Sequence, residues 1–376
     1  MMVRGSKIDR LSIEGYKSIK KLEGFELKNI NLLIGANGSG KSNFVSFFTM
    51  LHELVEGNLQ GYIETNGRAD AHLFLGPKIT EEIAGELCFG GRLYHGDWGM
   101  HRYNFQLIPT VDNKLIIKRD EGTFTKPDNH DFSISKVYTV NASESGLKAP
   151  TQIQALHSYI YSSVSEWTIY HFHDTSNTAR MRRDSSTRDF DYLRNDAGNI
   201  AAFLMQMKSV NNASYENIRD TIRNVAPFFD DFLFRPKTTN NGDLVSLEWR
   251  QQGSDFPFQP YQLSDGTMRF ICLATVLLQP NPPATIIIDE PELGLHPFAL
   301  KTLAALIRKA SQNTQLIIST QSSRLVDEFT PEDIVVLDLV DKATVFNRLD
   351  EKELAKWLVD YSLGEIWEKN IIGGKP

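Results

Sequence analysis

The sequence predicts an α/β fold with a mixed core sheet, an antiparallel β lobe and a helical insertion. Three observations lead to it. An apolar strand over 29–34 runs into the loop Gly35-Ala36-Asn37-Gly38-Ser39-Gly40-Lys41-Ser42, and a helix over 43–55 follows. This is the strand–loop–helix setting that a GxxxxGKS phosphate-binding loop requires. Far downstream, Thr285-Ile286-Ile287-Ile288 ends in Asp289-Glu290. Three isoleucines before an acidic pair mark a buried parallel strand that places chemistry beyond its carboxyl end. Between the two, residues 61–120 hold strand patterns separated by Gly, Asp and Asn turns, the mark of an antiparallel sheet.

Composition sets the bounds. The chain has 376 residues, 41% of them hydrophobic and 23% charged, with a net charge of -7. That is enough for one large or two modest globular domains. The negative charge excludes a wholesale polybasic nucleic-acid binder and leaves room for local patches. Cys88 and Cys272 are the two cysteines, each in an apolar run, and read as buried free thiols without a disulfide or zinc framework. No apolar run reaches the roughly 18 residues of a membrane span. The N-terminus lacks a signal-peptide pattern, so the expected setting is cytoplasmic.

The elements follow in order. Residues 8–13 and 24–27 read as short strands flanking a charged turn over 14–21. In the helix over 43–55, Phe44, Phe47, Phe48, Leu51, Leu54 and Val55 form one core stripe, which gives way near Glu56-Gly57-Asn58. Strands are expected over 81–89, with a bulge at Gly85, then 103–109 and 114–118, with a hairpin turn at Val111-Asp112-Asn113-Lys114. Residues 121–130 read as a polar turn. Helices are expected over 146–163, 196–210 and 212–225, with a strand starting at Thr168 and an aromatic turn over 228–236. A strand over 244–250, a helix over 268–278, the strand at 285–288 and a helix over 298–310 come next. Strands over 315–321, 334–339 and 344–349 and a short helix over 351–359 close the body. Leu363, Ile366 and Trp367 are expected to dock the tail.

The chemistry concentrates in three places. In the loop, Gly35, Asn37, Gly38, Ser39 and Gly40 let backbone N–H groups surround phosphate oxygens at a helix N-terminus. Lys41 should reach the β- and γ-phosphates, and Ser42 should ligate Mg2+. Leu263-Ser264-Asp265-Gly266-Thr267 opens a second helix; alone it reads as a cap, but Ser264, Asp265 and Gly266 suit a γ-phosphate. Asp289 should hold the Mg2+ shell, Glu290 should act as general base toward water, and Gln321 sits where a γ-phosphate sensor is useful. Arg180, Arg182, Arg183, Arg188 and Arg194 alternate with aspartates, either as a solvated ion-paired loop or as a surface for phosphate or nucleic acid. His171 and His173 would share one strand face, with Asp174 to complete a metal set. No further ligand stands at zinc spacing, so structural histidines are the expected reading.

Together GANGSGKS, LSDGT, IIIDEPELGLHP and STQS resemble the ABC-type head ATPases of the SMC and RecF-like group, most closely its compact bacterial ATPases. The likeness is strongest over 7–55 and 262–338, and also touches Tyr170–Thr175 and Asp196–Leu204. It implies an ABC/RecF-like P-loop head that binds ATP and Mg2+ between two subunits, with 35–42 of one facing 263–267 of the other. Leu293 and Gly294 would then lie in the loop coupling the two sites, and Gln321 would replace the usual switch histidine. Gln152 and Gln154 are the nearest candidates for the lobe-linking glutamine. The expected organisation is a single head over 1–376. Its parts are a P-loop strand and helix (1–56), a β lobe (57–145), a helical and variable insertion (146–262), a signature and Walker B lobe (263–350) and a docking segment (351–376). No heptad run suggests coiled-coil arms. The chain ends too soon after the last strand for the nuclease domain of related proteins, so such activity would belong to a partner. The expected partners are a second copy, or a higher oligomer built from that dimer, a separate effector protein and possible DNA, with no membrane. The roles implied are a DNA-linked process (repair or anti-phage defence) or an ATP-gated scaffold that holds an effector; a transporter subunit fits poorly.

Overall fold

A computed structural model describes residues 5–374, except 93–97, 127–128, 149–153 and 241. The chain opens with an antiparallel hairpin, β1 (Arg10–Tyr16) and β2 (Ile19–Glu26), followed by β3 (Ile30–Ile34), α1 (Lys41–Glu56) and α2 (Leu59–Thr65). The eight-residue charged turn expected over 14–21 is instead a tight connection at Lys17-Ser18. Glu14, Lys20 and Lys21 belong to strands and point to solvent, which is why they imitate a loop. Gly57, at φ 73°, ends α1 as the sequence implied.

Four long strands come next: β4 (Ile83–Arg92), β5 (Trp98–Pro109), β6 (Leu115–Lys126) and β7 (Asn129–Ala142). They extend the hairpin into a six-stranded antiparallel sheet of order β2-β1-β4-β5-β6-β7. The polar turn expected over 121–130 is largely strand, because Glu121, Thr123 and Thr125 alternate with inward Phe124 along β6. Gly85 pairs in regular register and makes no bulge; a side chain there would overlap the Phe105 ring.

After α3 (Gln154–Ser165) and β8 (Thr168–Tyr170), a short bridge strand β9 (Ser185–Ser186) leads to α4 (Ile200–Val210) and α5 (Asn212–Val225). The stretch read as an aromatic turn contains β10 (Phe229–Leu233). The expected single strand over 244–250 is divided between β12 (Gly242–Val245), which pairs with β11 (Lys237–Thr239) and β9, and β13 (Glu248–Gln251), which pairs with β10. The last third gives α6 (Asp265–Leu278), β14 (Thr285–Asp289), α7 (Pro297–Ala310), β15 (Gln315–Ser319), α8 (Ser323–Val326), β16 (Ile334–Val340), β17 (Ala343–Arg348), α9 (Glu351–Leu354) and α10 (Leu363–Glu368).

The core sheet runs β17-β16-β3-β15-β14-β8 and is parallel except at β17. Strand alternation divides its side chains between two cores. Leu33, Ile287, Ile317, Val335 and Leu337 face α1 and the β lobe. Leu32, Ile34, Ile286, Ile288, Leu316, Ile318 and Val336 face α4 to α7. The Phe44, Phe47, Phe48, Leu51, Leu54 and Val55 stripe of α1 is fully buried between the two sheets. At about 1.5–3 kcal/mol per buried side chain, this stripe is a main tie between the lobe and the core sheet. Cys88 and Cys272 are free and buried. Leu363, Ile366 and Trp367 dock the tail, and Trp367 Nε1 donates to the Gly374 carbonyl (3.2 Å). Among the described residues no helix is long and apolar enough to cross a membrane, and the longest has 16 residues.

Candidate functional site

Parallel pairing of β3, β15 and β14 brings three carboxyl ends to one edge of the core sheet. The first delivers the loop 35–42. Gly40 caps α1 at φ 108°, without a side-chain cap, so the first amides of the helix stay directed at the loop. The loop is braced from behind. Thr344 Oγ1 donates to the Ser39 carbonyl (2.9 Å) and meets Ser18 Oγ (2.7 Å), and Asn43 Nδ2 donates to Ser18 Oγ (2.7 Å). A Cβ at Gly40 would overlap Thr344 Oγ1, so only glycine fits this φ and this contact.

Lys41 Nζ donates to the carbonyls of Gly35 (2.5 Å) and Ala36 (3.0 Å). Burial pulls its pKa down against the opposing charges of Glu290, Asp289 and Glu292. The second strand end supplies Asp289 and Glu290. Ser319 Oγ donates to Asp289 Oδ1, and Glu290 N donates to the Ser319 carbonyl (3.0 Å). Burial opposes ionisation of Asp289, but His173 and Ser319 outweigh it and hold the carboxyl below its usual range. Glu290 sits at φ 44°, a conformation that costs a non-glycine residue about 1–3 kcal/mol and clusters at functional sites. The third strand end supplies Thr320 and Gln321. Gln321 Nε2 donates to Glu290 Oε1, and Gln321 N and Thr320 Oγ1 donate to Glu292 Oε1 (2.8 and 2.7 Å). Burial raises the Glu292 carboxyl pKa.

A cleft of about 130 Å³ results, lined by Asn37, Gly38, Gly40, Lys41, Ser42, Asn43, Glu290 and Gln321. Small-molecule pockets run to roughly 300–1,000 Å³, so this is one wall of a site for anything as large as a nucleotide. Ser42 and Asp289 offer oxygen donors of the kind Mg2+ takes.

The 263–267 motif does not line that cleft. Ser264 caps α6 by accepting from Thr267 N (3.2 Å), and Ser264 and Asp265 are exposed at the helix N-terminus. Two arginines hold this segment in place. Arg182 is buried, donating to the carbonyls of Thr175 (2.8 Å), Pro260 (2.5 Å) and Leu263 (3.0 Å) and to Asp265 Oδ1 (2.9 Å). The sequence had offered Arg182 as a nucleic-acid contact; with every donor arm turned inward, it is a brace instead. Arg183 and Arg188 are exposed, and Arg180 pairs with Asp196 at 3.8 Å. Arg269, on α6, donates to the carbonyls of Phe172 (2.9 Å), His173 (3.2 Å) and Leu293. Gly266 abuts the Gly294 carbonyl, which a Cβ would overlap. The 263–267 motif, the 293–294 turn and the 172–173 segment are therefore one mechanical unit.

His171 and His173 follow β8, with their rings 6.4 Å apart. Asp174 does not join them; it is exposed and accepts from Ser176 N (3.0 Å). Asp289 takes that place, and the ligand atoms of His171, His173 and Asp289 all lie within 4.8 Å of one another. Both rings are exposed, and His173 pairs with Asp289 at the sheet edge. Gln152 and the side chain of Gln154 lie outside the described residues. Sequence reasoning missed Arg269, although an arginine in an otherwise apolar helix start was a signal. It also missed Thr344 and Ser18, whose sequence context carries none.

This architecture is an ABC/RecF-like P-loop head fold. It aligns with an SMC head bound to the C-terminal winged-helix domain of ScpA at a TM-score of 0.59, over 93% of this chain and 99% of that one, at 17% identity. It also aligns with a Pyrococcus furiosus SMC head carrying an extended coiled coil and bound to the C-terminal domain of ScpA, at 0.52, over 94% and 98%, at 16% identity. The chain itself belongs to the family described as "AAA domain, putative AbiEii toxin, Type IV TA system", which matches residues 30–327. Two energy-coupling factor transporter ATP-binding proteins EcfA2 of Staphylococcus epidermidis are 31% identical over 107 residues, 27% of this chain. The chain spans 36% of the length of those relatives.

Proposed function

We propose that the protein is a Mg2+-dependent ATPase, a single head over its whole length, that closes as a dimer on ATP and reopens on hydrolysis. The observation that carries this reading is the meeting of Lys41, Asp289, Glu290 and Gln321 at one sheet edge. The loop amides and Lys41 would hold the β- and γ-phosphates. Ser42 and Asp289 would hold Mg2+, which would neutralise charge on the phosphate oxygens. Glu290 would take the proton of the attacking water as its oxygen bonds to the γ-phosphorus and ADP leaves. Gln321, bonded to Glu290, would orient that carboxylate and report the γ-phosphate. Ser264 to Thr267 of a second copy would supply the other wall, which suits a motif exposed away from its own cleft.

For the role of this switch, the sequence favours a DNA-linked process, in repair or anti-phage defence, in the cytoplasm. A second reading, an ATP-gated scaffold that holds or releases an effector, is favoured by the burial of Arg182, which removes one of the arginines the DNA reading relied on. A family description that mentions a toxin system also leans that way. The test is ATP turnover by the full chain. Wild type should release phosphate, and Lys41→Ala and Glu290→Gln should each lower the rate by at least about a hundredfold. Turnover unchanged in both variants would refute the assignment. DNA binding that weakens steeply with salt and with Arg183→Ala would select the first role; its absence would select the second.

A further inference from the structure

We propose that His171, His173 and Asp289 form a binding site for a borderline first-row divalent cation, of the Zn2+ or Co2+ kind, at the edge of the cleft. Two imidazoles and one carboxylate are a donor set that such ions favour over Mg2+, which prefers oxygen throughout. The three ligand atoms lie within 4.8 Å of one another, and His173 Nε2 stands 3.7 Å from Asp289 Oδ2. Ligands about 2.0–2.1 Å from a tetrahedral ion sit roughly 3.4 Å apart, so the set would draw in by up to about 1.4 Å on binding. Among the described residues, no other group of three or more His, Cys, Asp and Glu side chains is so arranged.

The surroundings fix the carboxylate and the backbone that carries the two rings. Ser319 Oγ fixes the other carboxylate oxygen, Asp289 Oδ1. Arg269 pins the carbonyls of Phe172 and His173, and His171 N donates to the Asn195 carbonyl (3.1 Å). The backbone around both rings is thus anchored while the imidazoles stay exposed to an arriving ion. A plain His173–Asp289 ion pair would explain one ring and leave His171 without a purpose. The proposal concerns binding to the nucleotide-free chain and does not rest on the ATPase reading, in which Asp289 turns to Mg2+.

The test titrates Co2+ into the nucleotide-free full chain, read by the visible absorption of the bound ion, with calorimetry for Zn2+ and Mg2+. The expected result is one Co2+ per chain, weakened at least about tenfold by His171→Asn and by His173→Asn. Asp174→Asn should leave it unchanged, and Mg2+ should bind at least about tenfold more weakly than Zn2+. Circular dichroism confirms that these exposed-site variants keep the fold. Co2+ affinity indifferent to both histidines, or equal affinity for Mg2+ and Zn2+, overturns the site. ATP binding is measured in parallel. Co2+ held by the histidines without any ATP binding would sink the ATPase reading alone, and ATP turnover with histidine-independent Co2+ binding would sink the metal site alone.

Discussion

Replacing Arg269 with Met tests whether one buried guanidinium joins the exposed 263–267 motif to the sheet edge that carries Asp289 and Glu290. Its three donor arms reach the carbonyls of Phe172, His173 and Leu293 from a single position on α6. A hydrogen bond from a charged donor contributes about 1.5–3 kcal/mol net, which for three would sum to roughly 5–9 kcal/mol. That sum overshoots, because the three share one group and because Met removes the cost of burying a charge. Burial already depresses the Arg269 pKa, a sign of that cost. The expected loss is therefore about 2–4 kcal/mol of unfolding free energy, read from urea denaturation. Arg269→Lys should recover less than half of it, since an ammonium cannot span three carbonyls in a planar fork. ATP turnover should fall at least about tenfold in both variants while ATP affinity stays within about threefold, because the phosphate loop is untouched. A loss under about 1 kcal/mol in Arg269→Met, or full rescue by Lys, would refute the clamp.

Further outcomes are expected. Gly266→Ala must displace the 293–294 turn, because its Cβ overlaps the Gly294 carbonyl; a stability cost of about 1–3 kcal/mol and weakened ATP-driven dimerisation in light scattering should follow. Arg182→Ala should destabilise by about 2–4 kcal/mol, whereas Arg183→Ala and Arg188→Ala should stay within about 0.5 kcal/mol in the same urea assay. Acid should destabilise the fold through His72 and His101. Burial lowers each from 6.5 to about 4, so between those values the unfolded chain binds more protons. Stability is whole above pH 6.5 and falls as pH drops toward 4, by up to about 3 kcal/mol per site. His101→Phe, in a slot where the ring already stacks on Tyr159 at 3.7 Å, should remove about half of that dependence in melts between pH 7 and pH 5, leaving the His72 part.

What the sequence disclosed follows a physical line. The phosphate loop, the Ile286–Asp289 strand and the α1 stripe were legible because each is contiguous and carries its own period. The β lobe was half legible: Gly, Asp and Asn marked its turns, but Glu14, Lys20, Lys21 and Glu121 looked like loop residues because they line solvent faces. Arg182 was misread because an arginine is buried only where carbonyls gather to receive it, and those of Thr175, Pro260 and Leu263 come from separate segments. The same distance hid Asp289 from the two histidines. A strand pairing, β8 alongside β14, puts them together, and no local spacing encodes it.

The central claim is that two copies of this chain close over ATP held at Lys41, Asp289 and Glu290. The most direct measurement is the solution mass of Glu290→Gln by light scattering, with and without ATP and Mg2+. The variant should be a monomer that doubles in mass when ATP is added and returns when it is removed. A mass that stays the same at saturating ATP, with binding confirmed independently, would contradict it.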